Sequence, residues 1–229
     1  MITQIYSIQT VQEALDCIEA QADYIGVAVA TGANLPSEVS FEECKKIYDT
    51  IGDKAKKVLI VVSKQLQPVL DAIDYTKPDV IHLCGYDFKA SPQFVNKVKS
   101  LYPNIKVLQA IGIEDESSIE EAIYYSTFCD EIILDSVDKN INGIGAAGFT
   151  NDWDLDAQIV KLAKCPVILA GGLGPENVRE AILKVKPWGV DSFTKTSDKL
   201  ENGKSKKNKD KVAAFIKNAK TAFKELENE

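Results

Sequence analysis

Two side chains that could take part in acid–base chemistry stand directly after apolar stretches of the sequence. Asp135 follows the run 131–134, and Cys84 follows the run 81–83. A carboxyl group at the end of a buried strand can act as a general acid or base when burial raises its pKa. A thiol acts as a base only where its pKa is lowered, and no basic residue adjoins Cys84. The structural alternatives are a loop cap for Asp135 and, favoured by the sequence, a buried inert thiol for Cys84.

A glycine-rich turn, within residues 169–177, carries the strongest local signal in the chain, and its chemistry is anion binding. A buried strand leads into glycines and then into the start of a helix. Glycines let the backbone approach a ligand closely, and the N–H groups at a helix start point at an anion. The alternative is a tight turn that only needs small residues. Hydroxyl groups and a lysine at the end of the following strand could complete a phosphate site. The candidate phosphate-binding residues are Gly171, Gly172, Leu173, Gly174, Ser192, Thr194 and Lys195.

Predicted strands and helices that could position these residues alternate along the chain. Most of the strand candidates are nearly continuous apolar runs, which are typical of parallel strands buried on both faces. The predicted strands are Ile2–Tyr6, Tyr24–Val29, Lys57–Val62, Asp79–Leu83, Lys106–Ala110, Glu131–Leu134, Val167–Ala170 and Trp188–Ser192.

Helix starts are marked by capping residues between those strands. Thr10 with Glu13, and Ser40 with Glu43, have the spacing of a capping box. Pro175 suits the first turn of a helix, where its missing N–H costs nothing. The other helices are predicted at Leu66–Ile73, Pro92–Leu101, Ser117–Ser126, Leu155–Ala163, Pro175–Val185 and Lys209–Leu226.

Eight strand–helix units predict an α/β fold, a single (β/α)₈ TIM barrel that spans residues 1–229 as one domain. An open doubly wound sheet is the alternative. Long connections are predicted at 135–152 and at 195–208. The second is lysine-rich, and we interpret it first as a solvated, mobile loop and second as a basic lid over an anion. In a barrel the glycine-rich turn follows strand seven, where phosphate sites are common.

Composition excludes several classes of function. The net charge is −7 and Arg179 is the only arginine, so we expect no nucleic-acid partner. No apolar run is long enough to span a membrane, and residues 1–10 lack the features of a secretory signal. Five cysteines without CxxC spacing and one histidine predict free thiols in the cytoplasm, no metal and no cofactor. The partner is predicted to be a small phosphorylated metabolite, and a homodimer is possible.

Five motifs follow one another along the chain in an order that points to one enzyme family. They are Ala22–Val27, Ile81–Gly85, the region from Ile133 through 143–148 to Trp153, Leu169–Ile182, and Gly189–Asp191. Together they resemble the phosphoribosylanthranilate isomerases of tryptophan biosynthesis, nearly from end to end. The resemblance implies a barrel that catalyses an Amadori rearrangement of a phosphoribosylated aminoaldose. A carboxylic acid protonates the ring oxygen in that family, and a cysteine thiolate removes a proton from C2. The resemblance maps the acid onto Asp135.

Departures from the family pattern concern the base and the recognition of the aromatic acid. The base cysteine is replaced by Tyr6, whose phenol, with an ordinary pKa near 10, is a poor base. The arginine that binds the anthranilate carboxylate is replaced by Ser37, next to Glu38. The strand-four histidine is Cys84, and the strand-eight phosphate motif has become 193–195. Loss of a general base commonly costs about 10²–10⁴-fold in rate, so at most weak parent activity is expected.

Two functional hypotheses follow. In the first, the chain is a sugar-phosphate isomerase in which Asp135 is the acid and Cys84 or Tyr6 is a replacement base. Its substrate need not contain anthranilate. In the second, the barrel binds a phosphometabolite without turning it over, as a sensor or scaffold. A lyase with a Schiff-base lysine is a weaker third alternative, because we assign Lys195, which ends a strand, to phosphate.

Overall fold

Eight parallel strands close into a barrel in chain order, and the last strand pairs with the first. The computed structural model describes residues 1–31, 37–63, 65–85, 89–137, 144, 148–201 and 204–228. Closure confirms the predicted TIM barrel and excludes the open sheet. The strands are β1 (Ile2–Ile5), β2 (Tyr24–Ala28), β3 (Lys56–Val61), β4 (Val80–Leu83), β5 (Lys106–Ile113), β6 (Glu131–Ser136), β7 (Val167–Leu169) and β8 (Gly189–Ser192).

The apolar runs of the strands are continuous because both faces of the barrel wall are covered. In β3, Val58 and Ile60 point into the barrel interior, whereas Leu59 and Val61 pack in the layer between sheet and helices. All four side chains are fully buried. Strand side chains alternate between the two faces, so a run with apolar residues at every position fills both layers.

Helices follow the strands on the outside of the barrel, and the first two have the N-cap residues that the sequence predicts. Thr10 and Ser40 each accept a hydrogen bond from the backbone N–H three residues later, both at 3.2 Å. The helices are α1 (Val11–Glu19), α2 (Phe41–Ile51), α3 (Leu66–Thr76), α4 (Pro92–Leu101), α5 (Ser117–Ser126), α6 (Trp153–Leu162), α7 (Val178–Val185) and α8 (Lys209–Glu227).

Two details of these helix starts differ from prediction. Glu13 does not close a capping box on Thr10; its carboxylate instead accepts hydrogen bonds from the N–H of Gln9 and from that of Lys207, which is remote in sequence, both at 2.8 Å. Helix α7 begins at Val178, so Pro175 lies in the preceding turn rather than in the helix. That turn is held by side-chain hydrogen bonds, which delay the helix by three residues.

The predicted loop 195–208 contains regular structure at both ends. A 3₁₀ turn (Thr194–Thr196) leads into β9 (Ser197–Lys199), which pairs antiparallel with β10 (Ser205–Lys207). Residues 202–203 lie outside the described residues, as do 138–143 and 145–147 of the other long connection. Lys207, expected among solvated lysines, is only 6% exposed. Mobility of this segment stays a prediction.

Within the described ranges, no helix has both the length and the apolar character that crossing a membrane requires.

Candidate active site

A small cleft opens at the mouth of the barrel, where the carboxyl ends of β6, β7 and β8 meet. Parallel strands bring their carboxyl ends to one side of a barrel, so residues far apart in sequence converge there. Six of the predicted site residues line the cleft, together with three that were not predicted. The predicted ones are Asp135, Gly171, Gly172, Leu173, Ser192 and Thr194, and the others are Gly148, Asp191 and Phe193.

Asp135 is the penultimate residue of β6, and its carboxylate faces the cleft half-buried. Oδ1 accepts a hydrogen bond from the backbone N–H of Ser136 at 2.8 Å. Loss of hydration raises the pKa of Asp135 to about 7, although the amides of Ser136 and Gly171 lower it. A carboxyl group with a pKa near neutrality can donate a proton at physiological pH, as a general acid must.

Asp191 is a second carboxyl group in the same cleft, and sequence reasoning assigned it no role. It lies on β8 beside Gln4 of β1, is only 4% exposed, and its Oδ1 has no hydrogen-bond partner among the described residues. Burial, and after it the charge of Asp135, raises the pKa of Asp191 to about 8. Two such carboxyl groups disfavour each other's charged form, so near neutral pH the pair retains a proton. The sequence feature that could have identified Asp191 is an acidic residue near the end of a buried strand.

Tyr6, Cys84 and His82 meet beside this cleft at the ends of β1 and β4. The Tyr6 hydroxyl lies 3.5 Å from Cys84 Sγ, and its ring centroid is 5.6 Å from those of His82 and Phe193. Burial raises the pKa of Tyr6 well above its usual value and that of Cys84 to about 11. Burial also lowers the pKa of His82 to about 3. All three groups are therefore neutral at pH 7, so neither a thiolate nor an imidazolium is present there.

The glycine turn after β7 needs glycine at two positions. Gly171 and Gly172 have φ of +82° and +57°, in the region that side chains disfavour. A Cβ on Gly171 would collide with the Asn151 amide, and one on Gly172 would lie 2.6 Å from the backbone carbon of Phe149. Asn177 closes the turn, since it accepts from the N–H of Gly174 at 2.8 Å and donates to Gly172.

Two of the predicted phosphate-binding residues, Gly174 and Lys195, are absent from the cleft lining. Lys195 is exposed, and its Cβ lies 2.6 Å from where a Cβ on Gly174 would stand. Ser192 lines the cleft, but its buried hydroxyl donates to Leu173 O at 2.6 Å and so joins the ends of β7 and β8. The described residues that line the cleft include two acids and no Lys, Arg or His. The groups of this lining that can contact a phosphate are therefore backbone N–H groups and hydroxyl groups.

A third buried acid, Asp156, contacts Asn151, the residue that packs against Gly171 in the glycine turn. Asp156 of α6 is fully buried, and loss of hydration raises its pKa to about 7. Asn151 Nδ2 lies 3.5 Å from Asp156 Oδ1 and 3.5 Å from Ala170 O. Asn151 thus links α6 to the end of β7. Among the described residues, no group of three or more His, Cys, Asp or Glu side chains is arranged to hold a metal ion.

Comparison with known proteins agrees with this geometry. Residues 3–218 match the family described as N-(5'phosphoribosyl)anthranilate (PRA) isomerase. The chain is 30% identical over 207 residues to an N-(5'-phosphoribosyl)anthranilate isomerase of Methanocella arvoryzae, an alignment that covers 90% of this chain and 92% of that one.

Solved structures give the same result. The phosphoribosyl anthranilate isomerase of Thermotoga maritima superposes with a TM-score of 0.79 at 28% identity, covering 96% of this chain and 100% of that one. A phosphoribosyl anthranilate isomerase in complex with reduced 1-(o-carboxyphenylamino)-1-deoxyribulose 5-phosphate superposes with a TM-score of 0.77 at 27% identity, with the same coverage. A further Thermotoga maritima structure, with a TM-score of 0.78 at 27% identity and the same coverage, comes from an enzyme described as dimeric.

Proposed function

Because the chain belongs to the N-(5'-phosphoribosyl)anthranilate isomerase family, we propose that it isomerises a phosphoribosyl or phosphosugar compound by an Amadori-type rearrangement. The observation that carries this proposal is the position of Asp135, which faces the same cleft as Gly171, Gly172 and Thr194. A ligand whose phosphate contacts the glycine turn therefore extends its sugar toward a carboxyl group that holds a proton near neutral pH. The cytoplasm as the site of action, and a homodimer as the working form, are parts of the same proposal.

In the proposed mechanism the protein donates one proton to the substrate and removes one proton from it. Asp135 protonates the ring oxygen, the ring opens to an iminium ion, and a base removes the proton from C2 to give the enolamine that becomes the ketose. Cys84 and Tyr6 are the candidates from sequence, but the raised pKa of each keeps it protonated at pH 7. Asp191 is the stronger candidate, because it is the second carboxyl group in the cleft and a pKa of about 8 leaves part of it ionised at pH 7, where a thiol with a pKa of about 11 is almost entirely protonated.

The connection between β2 and α2 supports a substrate that differs from that of the family. Ser37, which stands where the family has its carboxylate-binding arginine, lies with its hydroxyl 3.1 Å from that of Ser205 in β10. Residues 32–36 lie outside the described residues. Arginine binds a carboxylate through two parallel hydrogen bonds, which a serine cannot replace. We therefore propose that the natural substrate lacks the anthranilate carboxylate, or that the parent substrate is turned over weakly.

The second candidate function is binding without turnover. The observation that favours it is the neutral state of Tyr6, which replaces the family's base cysteine, and of Cys84, which contacts it. A barrel that kept its anion cleft and lost its base would bind a phosphosugar as a sensor or scaffold.

The test compares turnover and binding in three proteins. The wild type, Asp135→Asn and the control Asp53→Asn are assayed with N-(5'-phosphoribosyl)anthranilate and with a panel of aldose phosphates. Asp53 is exposed at the opposite end of the barrel. Removal of the acid should lower turnover by about 100-fold or more while binding persists, and the control should match the wild type. Binding without turnover of any compound by the wild type would support the non-catalytic alternative and contradict isomerisation.

A further inference from the structure

The anion cleft lacks a cation among its described lining residues, and a buried one stands directly behind it. Lys207 ends β10 and is 6% exposed. Its ammonium group donates to Phe193 O at 2.9 Å, to Thr196 Oγ1 at 3.2 Å and to Ser197 Oγ at 3.0 Å. These acceptors are neutral, so the positive charge is hydrogen-bonded but has no carboxylate in contact among the described residues.

Lys207 is held in place from the opposite side. Its backbone N–H donates to Glu13 Oε1 at 2.8 Å, and Glu13 is itself 2% exposed. The Gln9 side chain donates to Ser205 O at 2.7 Å. The hairpin end is thereby fixed to the start of α1, so the ammonium group cannot swing out to solvent without breaking buried hydrogen bonds.

The residues that Lys207 holds form one wall of the cleft. Phe193 lines the cleft, its ring centroid lies 4.7 Å from the ammonium, and its carbonyl is one of the acceptors. Thr194, the next residue, also lines the cleft. Release of these contacts would free the turn 193–197 and would remove the buried cation whose charge acts on Asp191.

We propose that Lys207 is the positioning residue of the anion site, which shapes the 193–197 turn and supplies the buried positive charge that a phosphate dianion needs there. This inference rests on the proposed function, since it assumes a phosphorylated ligand in the cleft. A cation near a bound dianion is stabilised in its charged form, and by reciprocity the charged lysine favours the dianion.

The surroundings of Lys207 make its charge sensitive to pH. Loss of hydration lowers the pKa of Lys207 to about 8, and the opposing influences are Cys17 and Glu13 from α1 and Asp191 from β8. A bound phosphate would add a negative charge to this set. The pKa of Lys207 should therefore rise when phosphate binds, an effect that a purely structural lysine would not show.

The test measures binding of inorganic phosphate and of ribose 5-phosphate by calorimetry at about pH 7, together with the Lys207 side-chain pKa by NMR. The variants are Lys207→Met and, as matched control, Lys206→Met, which alters an exposed neighbour on the same strand. We expect Lys207→Met to weaken both ligands by about tenfold or more, and Lys206→Met to leave them unchanged.

Three outcomes separate this inference from the proposed function. Wild-type binding with a rise in the Lys207 pKa and a loss in Lys207→Met supports it. Wild-type binding with an unchanged Lys207 pKa overturns it and leaves the phosphate site standing, even if Lys207→Met does not fold. Failure of the wild type to bind either ligand overturns the phosphate site, and this inference with it.

Discussion

The identity of the proton acceptor is decided at the scale of single residues. Tyr6 stands where the family has its base, yet it is buried against Cys84 and Phe193, and burial holds the proton on the phenol and on the thiol. The carboxyl groups differ, because burial brings their pKa values toward neutrality instead of away from it. Loss of hydration thus keeps a thiol protonated at pH 7, but it brings the pKa of an aspartate into the range where the carboxyl group can exchange a proton.

Replacement of each candidate base in turn should rank Asp191, Cys84 and Tyr6 by their effect on kcat. Asp191→Asn should lower kcat by about 100-fold or more, because it removes the proton acceptor while it preserves the shape of the side chain. Cys84→Ser and Tyr6→Phe should each cost less than about tenfold, since neither group is ionised at pH 7. Steady-state kinetics on the substrate found active in the panel would check this order. A larger loss in Cys84→Ser than in Asp191→Asn would return the role to the thiol.

At the scale of elements, the turn after β7 is built by packing as much as by its own sequence. Gly172 combines a φ of +57° with backbone atoms of Phe149 and Thr150 that a Cβ would approach to 2.6–2.9 Å. Backbone cannot move aside as a flexible side chain can. The turn that we propose as a phosphate cradle is therefore braced by the connection between β6 and α6.

Gly172→Ala and Gly52→Ala form a matched pair that separates this clash from backbone strain. Gly52 also has a positive φ, +54°, but has no atom within 4 Å of the Cβ position. Gly52→Ala should cost about 1–3 kcal/mol of unfolding free energy from strain alone, because φ +54° with ψ −125° is a backbone conformation that alanine disfavours. Gly172→Ala should cost about 1–3 kcal/mol more, from overpacking, and should also weaken phosphate binding. Urea unfolding measures the loss of unfolding free energy, and calorimetry measures phosphate binding. Equal losses of unfolding free energy in the two variants would show that a Cβ at position 172 meets no clash.

For the whole molecule, several buried titratable groups couple stability to pH. Burial raises the pKa of Asp135 and Asp156 to about 7 and that of Asp191 to about 8. An acid whose pKa is higher in the folded chain than in the unfolded chain stabilises the fold while protonated, and this contribution is lost as pH rises through the folded value. His82, with a pKa lowered to about 3, acts oppositely, but only below its unfolded value near 6.5.

Unfolding free energy should therefore fall as pH rises above the unfolded carboxyl pKa near 4, most clearly between about pH 6.5 and 7.5. His82 opposes the fall below this range, and Lys207, whose pKa is lowered to about 8, opposes it above. Asp191→Asn should flatten this fall and raise Tm at about pH 8 by several degrees, at about 2–4 °C for each kcal/mol. Asp53→Asn, an exposed aspartate, should keep the wild-type profile. Thermal unfolding followed across this range provides the measurement. A wild-type Tm that does not fall between about pH 6.5 and 7.5 would mean that water reaches these carboxyl groups freely.

The sequence by itself determined the periodic features of this protein. Continuous apolar runs that alternate with capped helices predict a parallel sheet, and eight such units favour the closed barrel that the structure confirms. In a parallel sheet the ends of β6 and β7 lie on one side, which places Asp135 and the turn after β7 together. These follow from local pattern and chain order, which a sequence contains in full. Only the tertiary structure decided that Asp191 lines the same cleft as Asp135, that Tyr6 contacts Cys84, and that Lys207 is buried behind the cleft. Burial and hydrogen bonding involve residues far apart in sequence, such as Glu13 and Lys207, which are 194 positions apart. Their pKa values and contacts therefore depend on packing that no local pattern encodes.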